Sequence, residues 1–328
     1  MRVPTRYQHN VTLQQQIGRS MAVNVGYVGD HIRHLTHSTD MNSAVAQTLP
    51  DGSPGCSLSP CFFYAPGSPA RNPAVAATNI LVWDGRSSYH AIQADWVLRH
   101  SGFNSKVSFT YAKNTDTNSN LDTALGGTFT PQNPDPGLLY MEQGLSAFDV
   151  RRNFVANFTY VLPFESPLLR GWTIGALGTF ADGVPKTIFS GINRAGDRTR
   201  NNAQRPNLVA GASNNPIKGG SLADKANQYF DPSAFVLPAP GFYGNVGRDT
   251  LIGPGYADID LTIEKAVSIG GSRKLLLRAE AFNLLNHVNF QLPNTTVFTS
   301  AGTVSPTAGR ITSALAARQL QFGLKFQF

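Results

Sequence analysis

Hydrophobic and polar residues alternate in a series of short segments along this chain, most completely in the last one. Residues 319–328 read QLQFGLKFQF, with Leu or Phe at every even position and Gln, Gly or Lys at every odd one. Successive side chains of a β-strand point to opposite faces, so this segment predicts a strand with one apolar and one polar face.

Similar segments recur along the whole chain and predict an all-β protein of about nine or ten antiparallel strands. The other segments are 7–17, 21–29, 89–99, 103–112, 148–162, 171–182, 256–267 and 274–286. One more hairpin is expected between 184–190 and 205–209, inside the longest irregular stretch.

The connections between these segments alternate strictly between short and long. The short ones are 18–20, 100–102, 163–170 and 268–273, and the long ones are 36–88, 113–146, 184–255 and 287–316. A transmembrane β-barrel has strands of about ten residues, short turns at one end and long loops at the other. A soluble β-sandwich shares the alternation but has no reason to keep its long loops at one end. The pattern therefore favours an antiparallel transmembrane β-barrel.

This interpretation gives each face of the strands an environment, because the apolar face of such a barrel contacts lipid and the polar face lines the lumen. Side chains predicted to face lipid are Val107, Phe109, Phe158, Trp172, Leu261, Phe322 and Phe326. Side chains predicted to face the lumen are Lys106, Asp260, Arg278 and Gln321.

The composition is compatible with a barrel and argues against other classes. Charged residues make up 14% of the chain, and no apolar run approaches the roughly 18–20 residues of a membrane helix. The net charge of +7 is scattered without a dense Lys/Arg run, so nucleic-acid binding is not predicted. The N-terminal sequence MRVPTRYQHN lacks the basic and apolar regions of a signal peptide.

Cys56 and Cys61 are the two cysteines of the chain and stand close together in a loop rich in Pro, Gly and Ser. This spacing favours a small disulfide in an oxidising compartment, with two free thiols as the alternative. A metal site would need a second Cys or His pair nearby, and the sequence has none there.

Five charged residues form a pattern that could suggest acid–base chemistry. Asp258, Asp260 and Glu264 share the polar face of one predicted strand, and Arg278 and Glu280 lie on the next strand within cross-strand reach. No nucleophile or matched base accompanies them, so we expect an ion-pair ladder facing the lumen and no enzyme activity.

Three histidines, His31, His34 and His37, repeat like metal ligands. In an extended segment His34 points away from the other two, so solvated histidines at the base of a loop are expected instead. No G-x-S-x-G, P-loop or H-E-x-x-H motif occurs, and neither a metal nor another cofactor is predicted.

Five segments resemble the Oar-like group of TonB-dependent outer-membrane transporters. They are VGYVGDHIRHL (25–35), SAFDVRRNF (146–154), YGNVGR (243–248) with GPGYADID (253–260) after it, RAEAFNLLN (278–286), and the closing stretch 309–328. The segment 278–286 is similar to that family's R-x-E-x-F-N-L-x-N penultimate strand. The resemblance extends over essentially the whole chain.

The resemblance implies a C-terminal portion of a barrel of about 22 strands that encloses a plug. Members of the group also have a signal sequence, a TonB box and often a carboxypeptidase-regulatory-like β-domain. We expect this chain, without these parts, to form barrel wall and ligand-contacting extracellular loops in the outer membrane. Its implied partners are outer-membrane lipid, the missing N-terminal barrel and plug and, through that plug, the TonB system.

The closing strand has a further implied role in this family. Its alternate apolar residues Phe322, Leu324, Phe326 and Phe328 resemble the signal that the barrel-assembly machinery recognises in its clients. The alternatives to a transporter segment are a binding or adhesion barrel without energised transport and a soluble β-rich extracellular protein. No motif in the loops predicts the ligand.

Overall fold

The computed structural model describes residues 2–76, 78–119, 131–133, 135, 138–166, 170–198, 204–271 and 273–328. Parts of the predicted connections 36–88, 113–146, 163–170, 184–255 and 268–273 lie outside these residues. In chain order the strands are β1 Thr5–Ile17, β2 Met21–Asp40, β3 Gln47–Leu49, β4 Cys61–Phe63, β5 Asn79–His100, β6 Phe103–Asp116, β7 Gly144–Leu145, β8 Arg152–Val161, β9 Trp172–Ala181, β10 Pro185–Lys186, β11 Asn207–Leu208, β12 Phe235–Val236, β13 Leu251–Ile252, β14 Tyr256–Gly270, β15 Arg273–Phe282 and β16 Gln319–Gln327. A short helix, α1 Leu222–Asn227, and two 3₁₀ turns, Leu139–Glu142 and Pro232–Ala234, complete the described elements.

The long strands form one sheet in the order β1-β2-β5-β6-β8-β9-β14-β15-β16, with β7 paired to β6. Every neighbouring pair is antiparallel. Because each strand lies beside the one before it, all the short turns lie at one end of the sheet and all the long connections at the other. The predicted all-β, antiparallel fold class is confirmed.

The pairing register keeps one face of this sheet apolar across successive strands. One row across five strands reads Tyr160, Ile174, Ile263, Ala279 and Phe322. The adjacent row on the other face reads Thr159, Gly175, Thr262, Glu280 and Gln321. The seven side chains predicted to face lipid share the apolar face, and the four predicted to face the lumen share the polar face.

Lys265 lies on the apolar face and shows how a charge is accommodated there. It is near the short-turn end of β14, where its Nζ donates a hydrogen bond to the carbonyl of Arg170 at 2.6 Å. The same ammonium lies 5.1 Å from the ring centre of Trp172. The aliphatic stem covers apolar surface while the charge reaches the polar backbone at the end of the strand.

The described sheet is open. β1 and β16 stand at opposite ends of the strand order, and each pairs with one neighbour. Every residue of both strands is exposed. The two outer backbone edges therefore present unpaired N–H and C=O groups, which a bilayer does not tolerate and which template pairing with further strands.

The strand lengths correct the sequence prediction of about ten residues. β2 has 20 residues and β5 has 22, and both continue well into the stretch 36–88 that was predicted to be a loop. A bulge interrupts the pairing at His34, whose φ is 61°. Beyond it, His37 and Asp40 are buried under the loops, so the strand loses the apolar-polar alternation on which the prediction relied.

The hydrophobic core lies in the long connections and not in the sheet. We call the described residues of the connections 41–78, 117–151, 182–255 and 283–318 together the loop cap. Its main core cluster includes Ile188, Phe230, Leu251 and Val297, each fully buried. Among the described residues, no helix has both the length and the apolar character needed to cross a membrane.

The hairpin predicted between 184–190 and 205–209 is wrong. β10 pairs with β13, and β11 pairs with β12, so two small sheets replace it. Both partners, 235–236 and 251–252, lie far along the chain, and two-residue strands carry too little alternation to reveal their pairing.

Candidate functional site: the loop cap and the polar face

The connection 182–255, which we call the central loop, contacts each of the other three. Its Tyr243 hydroxyl donates to Asp197 Oδ2 at 2.8 Å and lies 3.1 Å from the hydroxyl of Tyr64 in the first connection. The backbone N–H of Tyr64 donates to Gly241 O, and that of Val297, in the last connection, donates to Phe189 O. The loops are thus one interlocked body.

Arg248 is the centre of a buried charge cluster beneath this body. Its guanidinium lies 2.6 Å from Asp116 Oδ1 and 2.6 Å from Asp249 Oδ2. It also donates to the carbonyl oxygens of Glu142 and Ser119, at 2.8 and 2.7 Å. Since Asp116 ends β6, this arginine fastens the central loop and the second connection to the top of the sheet.

A second buried pair reinforces the same junction. Arg205 Nη1 lies 2.6 Å from Glu142 Oε2, and Arg205 Nε donates to Val246 O at 2.7 Å. The other Glu142 oxygen accepts from the backbone N–H of Gln132. Breaking a buried pair with this many hydrogen bonds is costly, because one partner would stay buried and charged.

The segment 243–248, YGNVGR, supplies much of this junction, although the sequence prediction treated it only as the approach to a strand. Tyr243 and Arg248 carry the contacts just described, and Val246 lies in the core. A Cβ on Gly244 would lie 2.1 Å from Arg205 O, so only glycine allows this close approach. Its resemblance to a family motif was the signal that these positions mattered.

Burial shifts the acidity of two groups in the cap. Desolvation raises the pKa of Asp249 to about 6, against the opposing effect of Arg248, and Thr187 Oγ1 donates to this carboxylate at 2.6 Å. Desolvation and the nearby Asp197 raise the pKa of Tyr243 well above its ordinary value. Tyr243 therefore stays a neutral donor toward Asp197 at physiological pH.

Cys56 and Cys61 form a disulfide in the first connection. Cys61 is fully buried and begins β4, which pairs with β3. Ser57, inside the closed loop, donates to Asn207 Oδ1 in the central loop at 2.6 Å. The bridge thus holds a segment that touches the centre of the cap, on the same side of the molecule as the other long connections.

The polar face of the sheet carries an open cavity of about 440 Å³. Its lining includes Asn157, Thr173, Asp260, Thr262, Glu264 and Arg278. Arg278 Nη2 pairs with Glu280 Oε1 at 2.8 Å on the same strand, and Glu264 lies in register with Arg278 across β14 and β15. The five residues of the predicted ladder thus share one polar surface, with Arg278–Glu280 as its ion pair.

Asp260 has a structural contact that the sequence prediction missed. Its Oδ1 accepts a hydrogen bond from the backbone N–H of Asn283 at 3.0 Å. Asn283 in turn exchanges hydrogen bonds with His287, and the Asn286 side chain accepts from the backbone of Arg318. The asparagines of RAEAFNLLN therefore join the outer ends of β14, β15 and β16. Asp258, two residues before Asp260, lies in register with Thr179.

The three histidines of 31–37 lie within β2, not at the base of a loop. His31 contacts rings from neighbouring strands, with centroids 6.0 Å from His9 and 5.1 Å from His90. Pairing of distant strands creates this cluster, and spacing along one strand could not reveal it. Among the described residues, no group of His, Cys, Asp or Glu has the geometry to hold a metal ion.

The residues of the predicted C-terminal assembly signal share the apolar face of β16 and its end. Phe322 is 78% exposed and Phe328 95% exposed, and Leu324 and Phe326 lie between them along the strand on the same face. The Phe326 and Phe328 rings stack with centroids 6.1 Å apart. Water would not support this exposure, whereas lipid would.

An antiparallel sheet with a bare apolar face, a polar inner face and one-sided loops defines an outer-membrane barrel wall. Residues 1–321 match the family model described as the outer membrane beta barrel domain, and the chain belongs to that family. It is a protein of the outer membrane, as the sequence predicted. No curated protein sequence matches the chain.

Two solved structures are similar to this one in overall fold. The outer membrane transporter YddB from Escherichia coli has 12% sequence identity and a TM-score of 0.49, over 98% of this chain and 32% of that one. The FrpB iron transporter from Neisseria meningitidis (F3-3 variant) has 14% identity and a TM-score of 0.45, over 98% and 31%. The chain spans about a third of the length of each.

Proposed function

We propose that this chain is the C-terminal wall of a TonB-dependent transporter or receptor, with the loop cap as its extracellular ligand-contacting surface. The observation that carries the proposal is the combination of open sheet edges with a folded, one-sided cap. The unpaired edges of β1 and β16 call for further strands. The cap and the polar face leave a wet surface beneath the loops where a ligand can bind.

In this role the chain binds and positions rather than catalyses. The cavity of about 440 Å³ on the polar face offers hydroxyl, amide, carboxylate and guanidinium groups. Such groups fix the orientation of a polar ligand as it passes the wall. Energised uptake would come from a plug moved by TonB, which the resemblance to the Oar-like group implies.

A binding or adhesion barrel without energised transport is the second candidate. The packed cap favours it, because the core around Phe230 and the disulfide make these loops a preformed surface. Preformed binding surfaces lose little conformational entropy when they bind. Such a protein would need the missing strands but no plug.

Co-expression tests the proposal. The chain is produced together with the sequence encoded upstream of Met1, and TonB is cross-linked to the assembled protein in cells. The expected result is a folded, heat-modifiable barrel that captures TonB, with capture lost when the segment encoding the plug is deleted. A folded barrel with surface-exposed loops that never contacts TonB would contradict energised transport and support the adhesion barrel.

A further inference from the structure

The apolar face of the sheet changes character near its long-loop end, where β1, β2, β5 and β6 meet. One row of neighbouring side chains reads Leu13, Val25, Ala94 and Phe109, all apolar. The next row toward the loops contains Tyr27 and Tyr111, and the row after it contains His9, His90 and Lys113. Two rows further, Arg33 lies in register with Arg86.

The height of the strands places Arg33 and Arg86 at the level of lipid head groups. The twelve residue-to-residue steps from Met21 to Arg33 cover about 41 Å of strand, or about 30 Å of height at a tilt near 40°. The apolar band of an outer-membrane barrel is about 25 Å tall and is bordered by aromatic residues. Counted from Met21, a band of this height ends near His31, so Arg33 and Arg86 lie just outside it. The row of Tyr27 and Tyr111 lies inside the band, about 15 Å below the two arginines.

These cations are not neutralised by carboxylates. Within the described residues, no carboxylate lies at ion-pair distance from Arg33, Arg86 or Lys113. At the same end of the same face, Arg152 is held by Asp182 through hydrogen bonds of 2.8 and 2.9 Å. This face thus pairs an arginine with a carboxylate at one place and leaves its cations without a carboxylate at another, where the Arg33 guanidinium lies 6.0 Å from the ring centre of Tyr7.

Two of these cations, Arg33 and Arg86, border a cavity with an organised polar wall, and Lys113 lies outside its lining. It has a volume of about 560 Å³, and its lining includes Arg2, Arg33, Arg86, His31 and Ser88. The Ser88 hydroxyl lies 3.1 Å from His31 Nδ1 and 3.1 Å from His90 Nε2. Asp84 also lines the cavity, with its Oδ1 3.1 Å from His37 Nδ1.

We propose that this patch, formed by Arg2, Arg33, Arg86 and Lys113 with His31, binds the phosphate groups of an outer-leaflet glycolipid. Guanidinium groups recognise phosphate oxygens through paired hydrogen bonds, and unpaired cations at a membrane surface attract anionic head groups. The acyl chains would lie on the apolar rows below. The inference uses the orientation in the proposed function, with the long loops outside the cell.

Binding of diphosphorylated lipid A to the chain, co-expressed with the sequence upstream of Met1 and purified in detergent as the assembled barrel, tests this site without requiring TonB. The variant Arg33→Gln/Arg86→Gln should bind it about thirtyfold more weakly. The control Arg99→Gln/Lys106→Gln removes the same charge from the polar face and should bind like the parent. Heat modifiability checks that each variant is folded.

Two further probes identify the source of the phosphate. Dephosphorylated lipid A should bind weakly to every variant, and inorganic phosphate should compete poorly with the lipid. The proposal would be overturned if Arg33→Gln/Arg86→Gln and Arg99→Gln/Lys106→Gln lost lipid A binding equally. It would also be overturned if dephosphorylated lipid A bound as tightly as the diphosphorylated form. Inorganic phosphate binding as tightly as lipid A would identify a free-anion site and overturn the lipid assignment.

A milder variant keeps the test valid if the double variant does not fold. Lys113→Gln should weaken lipid A binding by about fivefold, as expected for one cation at a membrane surface. Arg33→Lys/Arg86→Lys, which keeps the charge, should retain most of the affinity. Unchanged lipid A binding by a folded Lys113→Gln protein would contradict its place in the patch.

Discussion

The sheet and the loop cap of this chain distribute their apolar residues in opposite ways. Phe322 on β16 is 78% exposed, whereas Phe230 in the cap is 0% exposed. The sheet relies on lipid to cover one face and on additional strands to cover its edges. The cap buries its own aromatic residues and its own charges. A single chain thus combines a wall that depends on its surroundings with a body that carries its own core.

This comparison predicts that the cap can be destabilised without loss of the wall. Arg248→Ala should leave Asp116 and Asp249 buried without their partner and cost the cap about 3–5 kcal/mol. In the barrel assembled by co-expression with the upstream sequence, hydrogen exchange of peptides from 182–255 should report this loss, while the barrel stays heat-modifiable. Lys218→Ala is the control. It removes a largely exposed ion pair, in which Lys218 Nζ lies 4.0 Å from Asp231 Oδ1, and should lower the stability of the cap by less than about 1 kcal/mol. Equal effects of the two changes would contradict the role of the buried cluster.

The stability of the cap should also depend on pH through Asp249. Its pKa is raised to about 6 in the folded protein, so folding favours the protonated carboxyl. The contribution of Asp249 to the stability of the cap is therefore largest below about pH 4 and is lost as pH rises through about 6, a change of up to about 3 kcal/mol. Hydrogen exchange of the cap at about pH 4.5 and about pH 7.5 measures this difference. Asp249→Asn should remove most of it, and an unchanged pH dependence in that variant would refute the assignment.

On the sheet side, deletion of Phe328 should reduce outer-membrane insertion of a full-length parent protein. Removal of one apolar ring from lipid explains a loss of roughly 1.5–3 kcal/mol in the free energy of insertion. The reduction in inserted protein should be larger than that loss explains, because the deletion also damages the predicted assembly signal. The fraction of heat-modifiable protein in the outer membrane is the measurement. Phe109→Ala, which removes a ring from the same face in mid-sheet, is the matched control. Normal insertion after the deletion would eliminate the assembly-signal role.

The smallest predicted effect concerns the disulfide in the cap. Reduction should lower the stability of the cap by about 2 kcal/mol, since the closed loop is short. Hydrogen exchange of peptides from 41–78, with and without reductant, tests this effect. The variant Cys56→Ser/Cys61→Ser should show the lower cap stability without reductant, and adding reductant should not change it. Rapid alkylation of both thiols in untreated protein would contradict a formed bridge.

Local patterns in the sequence were sufficient to predict the sheet. The alternation in QLQFGLKFQF assigned Phe322 and Phe326 to one face and Gln321 to the other, because side-chain direction in a strand depends only on position along it. The same logic predicted the turns, the one-sided loops and the barrel class. It underestimated β2 and β5, since their outer ends are packed under the cap and no longer alternate.

Only the tertiary structure determined the loop cap and the two sites that depend on strand pairing. Tyr64, Asp197 and Tyr243 come from distant positions, and irregular loops have no period from which their contacts could be derived. Arg248 likewise finds Asp116 across 132 positions of sequence. His31 clusters with His9 and His90 rather than with His34 and His37, and Arg33 lies in register with Arg86. Register across neighbouring strands, and not spacing along one strand, decides which side chains are neighbours.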